Sequence, residues 1–170
     1  KTGTITENRM KVKETWTGGG GKEGGEDLIA EVMGSCNRAQ WPNLGDPTEV
    51  GLLRFSRAKK ANRLHIDNEE VPFTSESKYM QTRHGRKSYI KGAPEVVVRL
   101  CDSVNKKEVL DKNDEFARKG LRVLAAAIKE GGKTKFLGLV AMEDPPRQGV
   151  KEAIESAKHA GIRTIMITGD

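Results

Sequence analysis

The chain opens on Lys1-Thr2-Gly3-Thr4-Ile5-Thr6, a cation, hydroxyls and a glycine in close succession. Such a run can hold phosphoryl oxygens, because ammonium and hydroxyl donors meet the charge and glycine lets the backbone come close. The far end, Met166-Ile167-Thr168-Gly169-Asp170, has similar chemistry, with Asp144-Pro145-Pro146-Arg147 before it. Between them lie further groups with chemical potential. Phe73 sits in the polar stretch VPFTSESKYM (71–80), where a phenylalanine used only for packing would have more apolar neighbours. Lys91 ends an apolar run and precedes Gly92-Ala93-Pro94, a point charge beside small residues. Glu49, in GDPTE (45–49), supplies an acceptor, and Arg122, in GLRVLA, supplies a forked donor. Each has an ordinary alternative: a sheet-core phenylalanine, a surface lysine, a helix-surface glutamate, a salt-bridged edge arginine.

Two glycine-rich stretches are decoys. GGKT (131–134) looks like the tail of a Walker A loop, but Ala127 stands where that motif needs its first glycine and a strand follows instead of a helix. It reads as a hairpin turn. GGGGKEGG (18–25) has its lysine before Glu23 instead of Ser or Thr, and reads as a flexible loop. Cys36 and Cys101 are too far apart for a CxxC motif and read as buried, reduced thiols.

The elements that must position these groups follow from periodicity. RMKVKETWT (9–17) reads as a strand. Leu28, Ile29, Val32, Met33 and Cys36 form one stripe of a helix within 26–39. Asp46 can cap a second helix with Pro47 in its first position and Val50, Leu52 and Leu53 facing inward. Strands follow over 64–92, with HGRK (84–87) as a hairpin turn, then a helix from Pro94 and a polar helix over 110–119 ended by Gly120. LRVLAAAIK and TKFLGLVAME read as two strands joined at EGGK. The last segment changes character: a helix over 147–160 closed by Gly161 leads into a buried strand, IRTIMIT, the pattern of a parallel sheet. The fold class expected is α+β: a mostly antiparallel sheet flanked by helices, with pieces of an α/β domain at both ends.

The net charge of +6 comes in short basic groups such as SRAKKANR, not in the long stripe of a duplex binder. No apolar run approaches the ~20 residues needed to cross a bilayer, so these residues are expected to be soluble and monomeric.

Taken in order, KTGTIT, GDPTE, KGAP, DPPR and MITGD resemble the motifs of P-type cation-transporting ATPases, end to end along the chain. NRM (8–10), CNRA (36–39) and the Phe-x-Ser-x-x-Lys-Tyr of 73–79 are spelled as in the type II pumps, whereas heavy-metal pumps are spelled differently. The resemblance implies three parts: a start of the phosphorylation domain (1–8), a nucleotide-binding domain (9–143), and a hinge with a returning helix and strand (144–170). It implies ATP or ADP as ligand, with Mg²⁺ accompanying the nucleotide and no metal held within the chain. Phe73 would stack on adenine, Glu49 would accept from its amino group, Lys91 would supply charge, and Arg122 would reach the β-phosphate or ribose. Asp46, Thr48, Lys78, Met80, Gly92, Ala93, Leu124, Asp144 and Arg147 complete the implied nucleotide site. Ser75 departs from calcium pumps, which carry an arginine there.

In the resembled pumps an aspartate before KTGT takes the γ-phosphate. Lys1, Thr2, Thr168, Gly169 and Asp170 would surround it, and the actuator and transmembrane domains would be the partners on the cytoplasmic side of a membrane. Because that aspartate would precede Lys1, these residues are expected to bind nucleotide without hydrolysing it. The competing readings are a fragment of a haloacid dehalogenase-type phosphatase and, from charge alone, a basic nucleic-acid module.

Overall fold

The computed structural model describes residues 3–18 and 25–165, without the side chains of 68–70. The chain order is β1 (Lys11–Thr17), α1 (Gly25–Ser35), α2 (Pro47–Ala58), β2 (Asn68–Val71), β3 (Tyr79–His84), β4 (Lys87–Gly92), α3 (Pro94–Leu100), α4 (Lys106–Arg118), β5 (Arg122–Glu130), β6 (Lys133–Glu143) and α5 (Val150–His159). The six strands form one antiparallel sheet in the order β1-β6-β5-β4-β3-β2. Lys1, Thr2, Thr168, Gly169, Asp170 and most of the GGGGKEGG loop lie outside the described residues.

The sheet is covered on both faces, and the strands divide their side chains between the two with period two. Tyr89, Ala126, Ile128, Val140 and Met142 join Ile29, Val32, Met33 and Leu52 of α1 and α2. Their neighbours Ile90, Ala125, Ala127, Leu139 and Ala141 join Val97, Val98, Val109 and Phe116 of α3 and α4. The alanine run of β5 is thereby explained, since small side chains let helices close on the middle of the sheet from both sides. A bulge between Ala126 and Ala127 absorbs a shift in register against β6.

Several expected boundaries hold. Asp46 caps α2, accepting from Thr48 N–H and Glu49 N–H, and Pro47 opens the helix. Val50, Leu52 and Leu53 are buried. Gly85-Arg86 and Gly131-Gly132 turn the two hairpins, so GGKT is a turn and not a phosphate loop. Cys36 and Cys101 are buried and free, and burial pushes the Cys101 thiol up to about 11.

Four expectations need correction. The first helix stops at Ser35 instead of reaching 39, because Asn37 turns its side chain back to donate to the carbonyl oxygens of Met33 and Glu49. The polar helix starts at Lys106, not 110, because the Asn105 side chain caps it by accepting from Glu108 N–H. The last helix starts at Val150, because Arg147 is drawn into pairing with the chain start: its N–H donates to Ile5 O at 2.8 Å. Beyond Gly161, residues 162–165 are exposed coil, not the buried strand expected there. No described strand lies alongside to accept its hydrogen bonds, and none of α5's residues is buried.

The two segments flanking the sheet come together. Thr6 bridges Pro146, Glu7 N–H donates to Pro145 O, and the Arg147 guanidinium donates to Gly3 O and Thr6 O. The Asp144 carboxylate accepts from the Thr6 hydroxyl at 2.6 Å and from Arg9 N–H at 3.0 Å.

Two outcomes follow from this packing. A Cβ on Gly51 of α2 would lie 2.5 Å from the Met10 carbonyl oxygen and 2.8 Å from the Met142 methyl. Gly51→Ala should therefore cost about 1–3 kcal/mol, read as a lower urea midpoint at unchanged m-value. Hydrogen bonds from Lys59 at 2.5 Å and Thr15 at 2.8 Å hold the Glu26 carboxyl below its ordinary 4.5. A lowered folded-state pKa contributes stability that is complete above the unfolded value and lost as pH falls through the folded one. Glu26→Gln should thus be less stable than the wild type at neutral pH, with the gap closing as acid is titrated below 4.5.

Candidate nucleotide site

Three neighbouring strands end at the same edge of the sheet, and register decides which of their side chains share a face. Met80 of β3 pairs with Lys91 of β4, and Lys91 pairs with Ala126 of β5. Leu124 lies two residues before Ala126 and Arg122 two before that, so all five point toward α1 and α2. The first turn of α2 closes over these strand ends. Between them is a cavity of about 560 Å³, lined by Arg38, Asp46, Thr48, Glu49, Leu52, Phe73, Met80, Lys91, Gly92, Arg122 and Leu124. That volume suits a small molecule.

The cavity has a greasy half and a charged half. Phe73 stands at its mouth with 59% of its surface exposed, so it is not a sheet-core phenylalanine. Met80, Leu52 and Leu124 form apolar walls. Beside Met80 the Lys91 ammonium donates to Glu49 Oε1 at 2.6 Å, with both side chains largely buried. Glu49 Oε2 accepts from Arg38 N–H at 3.2 Å. Arg122 donates to the Thr48 hydroxyl at 3.0 Å and so bridges β5 to α2. Beneath the ion pair lies Cys36, whose thiol is pushed up by burial and therefore stays uncharged beside Lys91.

A second cavity of about 500 Å³ adjoins the first, sharing Asp46, Thr48 and Arg122 with it. It runs to Thr6, Asn8, Glu143 and Asp144, where the chain enters and leaves the sheet. The two make one groove, from Phe73 to the paired segments at 3–9 and 144–147.

The sequence-expected residues sort accordingly. Asp46, Thr48, Glu49, Phe73, Met80, Lys91, Gly92, Arg122 and Leu124 come together in the first cavity, and Asp144 lies in the second. Lys78, Ala93 and Arg147 do not reach either. The anticipated turn between Phe73 and Lys78 exists, closed by Ser77 N–H on the Thr74 hydroxyl, but it leaves Lys78 with φ of 54° and its ammonium 3.7 Å from Glu95. Ala93 is spent as the N-cap residue of α3, and Arg147 on the carbonyl oxygens of Gly3 and Thr6. Gly92 has a second reason to be glycine. A Cβ there would meet the Lys78 carbonyl oxygen at 2.5 Å, so the close approach it permits is that of β3. Arg38 and Leu52 were missed. Leu52 was legible only as a core residue, and Arg38 follows a helix end that the sequence placed too late.

A six-stranded antiparallel sheet with two helix layers and a groove at its strand ends defines an α+β domain. Comparison with known proteins identifies it further. Residues 29–149 match the family model of the P-type ATPase cytoplasmic domain N, and the chain belongs to the P-type ATPase family. A calcium-transporting ATPase of Listeria monocytogenes is 34% identical over 217 residues, covering all of this chain and 25% of that protein. Calcium-transporting ATPase 1 of Lactococcus lactis is likewise 34% identical, over 218 residues, with 24% of its length covered. The human calcium-transporting ATPase type 2C member 2 is 35% identical over 75% of the chain and 16% of its own length. The chain thus spans about a quarter of the length of the bacterial relatives. The crystal structure of a zinc-transporting PIB-type ATPase in the E2.Pi state superposes over the whole chain and 25% of its own, with a TM-score of 0.66 at 18% identity. At that identity the likeness is one of fold. Among the described residues no helix is long and apolar enough to cross a membrane.

The α2 cap gives this site its own test. Asp46→Ala removes the acceptor for two first-turn N–H groups and should cost about 1 kcal/mol of stability, measured by urea denaturation, while Asp46→Asn retains most of it.

Proposed function

We propose that the groove binds ATP or ADP, with the base in the half lined by Phe73, Met80, Leu52 and Leu124 and the phosphate tail directed past Arg122 toward the segments at 3–9 and 144–147. The observation that carries this reading is the pairing of an exposed aromatic ring with a buried cation in one small-molecule-sized cavity. A core phenylalanine would be covered; one left at a cavity mouth is suited to stack on a planar ring. In the intact pump the bound nucleotide would present its γ-phosphate to the aspartate that precedes KTGT in the family motif, which makes the domain a carrier and the phosphorylation domain its partner.

Asp46, Glu143 and Asp144 border the second cavity. A bare triphosphate would meet like charge there, and one whose charge is offset by Mg²⁺ would not. Mg²⁺ would arrive with the nucleotide. The motif spelling supports a type II pump as the parent, in which this domain would stand on the cytoplasmic side of the membrane.

Affinity should be weak, about millimolar, or ~4 kcal/mol, for stacking plus a few polar contacts. NMR titration with ATP should shift resonances at Glu49, Phe73, Lys91 and Arg122. Phe73→Ala should weaken binding by about 5- to 150-fold, the equivalent of 1–3 kcal/mol of stacking, while changing stability by less than about 0.5 kcal/mol because the ring is exposed. Saturation by a short oligonucleotide with no response to ATP would contradict the proposal and favour a nucleic-acid module.

A further inference from the structure

At the other end of the sheet, side-chain chemistry changes abruptly from one cross-strand row to the next. On the side of α3 and α4, one row joins Gln81, Ile90, Ala127 and Phe136. Its last three members are packed in the core there. The next row outward is Arg83, Ser88, Lys129 and Thr134. Apolar packing thus gives way in one step to two cations and two hydroxyls. Beyond them lie the turns at Gly85-Arg86 and Gly131-Gly132. Arg83, Arg86, Ser88, Lys129 and the turn glycines line a cavity of about 600 Å³, which Glu130 also borders.

Ser88 is 8% exposed, yet its hydroxyl meets no hydrogen-bond partner among the described residues. A hydroxyl so enclosed costs free energy unless water or a ligand answers it. It stands between Arg83 and Lys129, whose strands lie about 10 Å apart, two strand spacings, a gap that long side chains can close over. Lys129 and Arg86 form no ion pair among the described residues, whereas Arg83 has an interaction of its own. The acidic groups nearby are directed elsewhere. Glu130 falls on the opposite face by alternation, level with Lys87 and Lys133. Asp67 accepts from Gly85 N–H at 2.5 Å, and Asp102 accepts from Thr134 N–H at the side of β6 away from β5. Lys129, Arg86 and Ser88 are therefore the groups left to a ligand.

Two cations and a hydroxyl donor around one concavity suit an anion with several acceptor oxygens. A carboxylate brings two, whereas a terminal phosphate brings three and up to two charges. We propose that this end of the sheet binds a terminal phosphate group, with the Lys129 ammonium and Arg86 guanidinium offsetting its charge and the Ser88 hydroxyl donating to one of its oxygens. The site lies at the opposite ends of β3, β4 and β5 from the nucleotide groove, and does not depend on the reading of that groove.

The test titrates inorganic phosphate into the chain at constant ionic strength, with chloride as the reference anion and backbone amide resonances as the readout. Saturable shifts are expected at Ser88, Lys129, Gly131 and Gly132, with a Kd of about 1 mM. Lys129→Gln and Ser88→Ala should each weaken phosphate about fivefold or more. Lys135→Gln should change it by less than about twofold, because Lys135 pairs with Ile128 on the opposite face and controls for net charge. Equal losses from Lys129→Gln and Lys135→Gln would overturn the site, since bulk charge alone would then account for binding. Shifts confined to groove residues such as Arg122, or none that saturate at Ser88 and Lys129, would overturn it too. If Ser88→Ala does not fold, Arg86→Gln takes its place with the same expected loss. Two further probes separate the sources of the phosphate. A response to glycerol 3-phosphate without sedimentation on phosphatidic acid vesicles assigns a soluble ligand, and sedimentation lost in Lys129→Gln assigns a lipid headgroup. Either result supports the site.

Discussion

A charged lysine on an inner strand of a sheet covered on both faces is the constraint around which the site is organised. The register of β4 sends Lys91 to the side of α1 and α2, where its side chain is largely buried. Leaving it unpaired would cost about 3–5 kcal/mol, so a carboxylate must stand over the end of β4. The first turn of α2 supplies it. Asp46 and Pro47 fix where that turn begins, and Gly51, one turn further, lets the helix lie against Met10 and Met142. The placement of α2 is thus over-determined, by a cap, a close contact and an ion pair.

Coverage on both faces also explains why the cavity lies where it does. The middle of the sheet is sealed by helices over the alanines of β5, and nothing can enter there. Only beyond the helix ends do strand residues face open space. Met80, Lys91, Leu124 and Arg122 are the α2-side residues of β3, β4 and β5 at that edge. The opposite ends of these strands are taken up by the two hairpin turns. The site lies at the edge away from those turns, and alternation along three strands selects its residues.

Much of this was legible in the sequence because it rests on local rules. Asp46-Pro47 announces a helix start, HGRK and EGGK announce turns, and the pattern of 122–143 announces two strands. What failed has identifiable causes. The overlong first helix came from reading hydrophobic periodicity through Cys36 without weighing Asn37, whose side chain competes for backbone carbonyls. Asn105 and Glu108 carried a helix-start signal three residues apart, and the low apolar content of α4 masked it. The strand expected over 162–168 was read from a helix, a glycine turn and a β-branched run; its described part, 162–165, is coil and the rest lies outside the described residues, and a strand needs a neighbour that periodicity cannot supply. In the site, Phe73, Glu49, Lys91 and Arg122 were legible from residue chemistry and family spelling. The contact between Lys91 and Glu49 was not, since it joins a strand end to a helix start 42 positions apart in sequence.

The groove also differs in how its two halves are held. In the first half, Met80, Lys91 and Leu124 belong to the sheet, Met80 and Leu124 are braced by the main core, and Phe73 stands on the connection between β2 and β3. The half containing Thr6, Asn8 and Asp144 is bordered by two strands of chain tied to each other by Asp144, Arg147 and backbone pairing, all of it exposed or half-buried. Hydrogen bonds at the surface exchange with water at little net cost, whereas rearranging a packed core does not come cheaply. Any change in the angle between the sheet and its entering segments would therefore reshape the second cavity and leave the first intact. In the proposed reading, such a groove grips the base with a fixed wall and leaves the phosphate tail beside the part that can move. A domain that must keep hold of a nucleotide while delivering its far end to another domain requires that asymmetry.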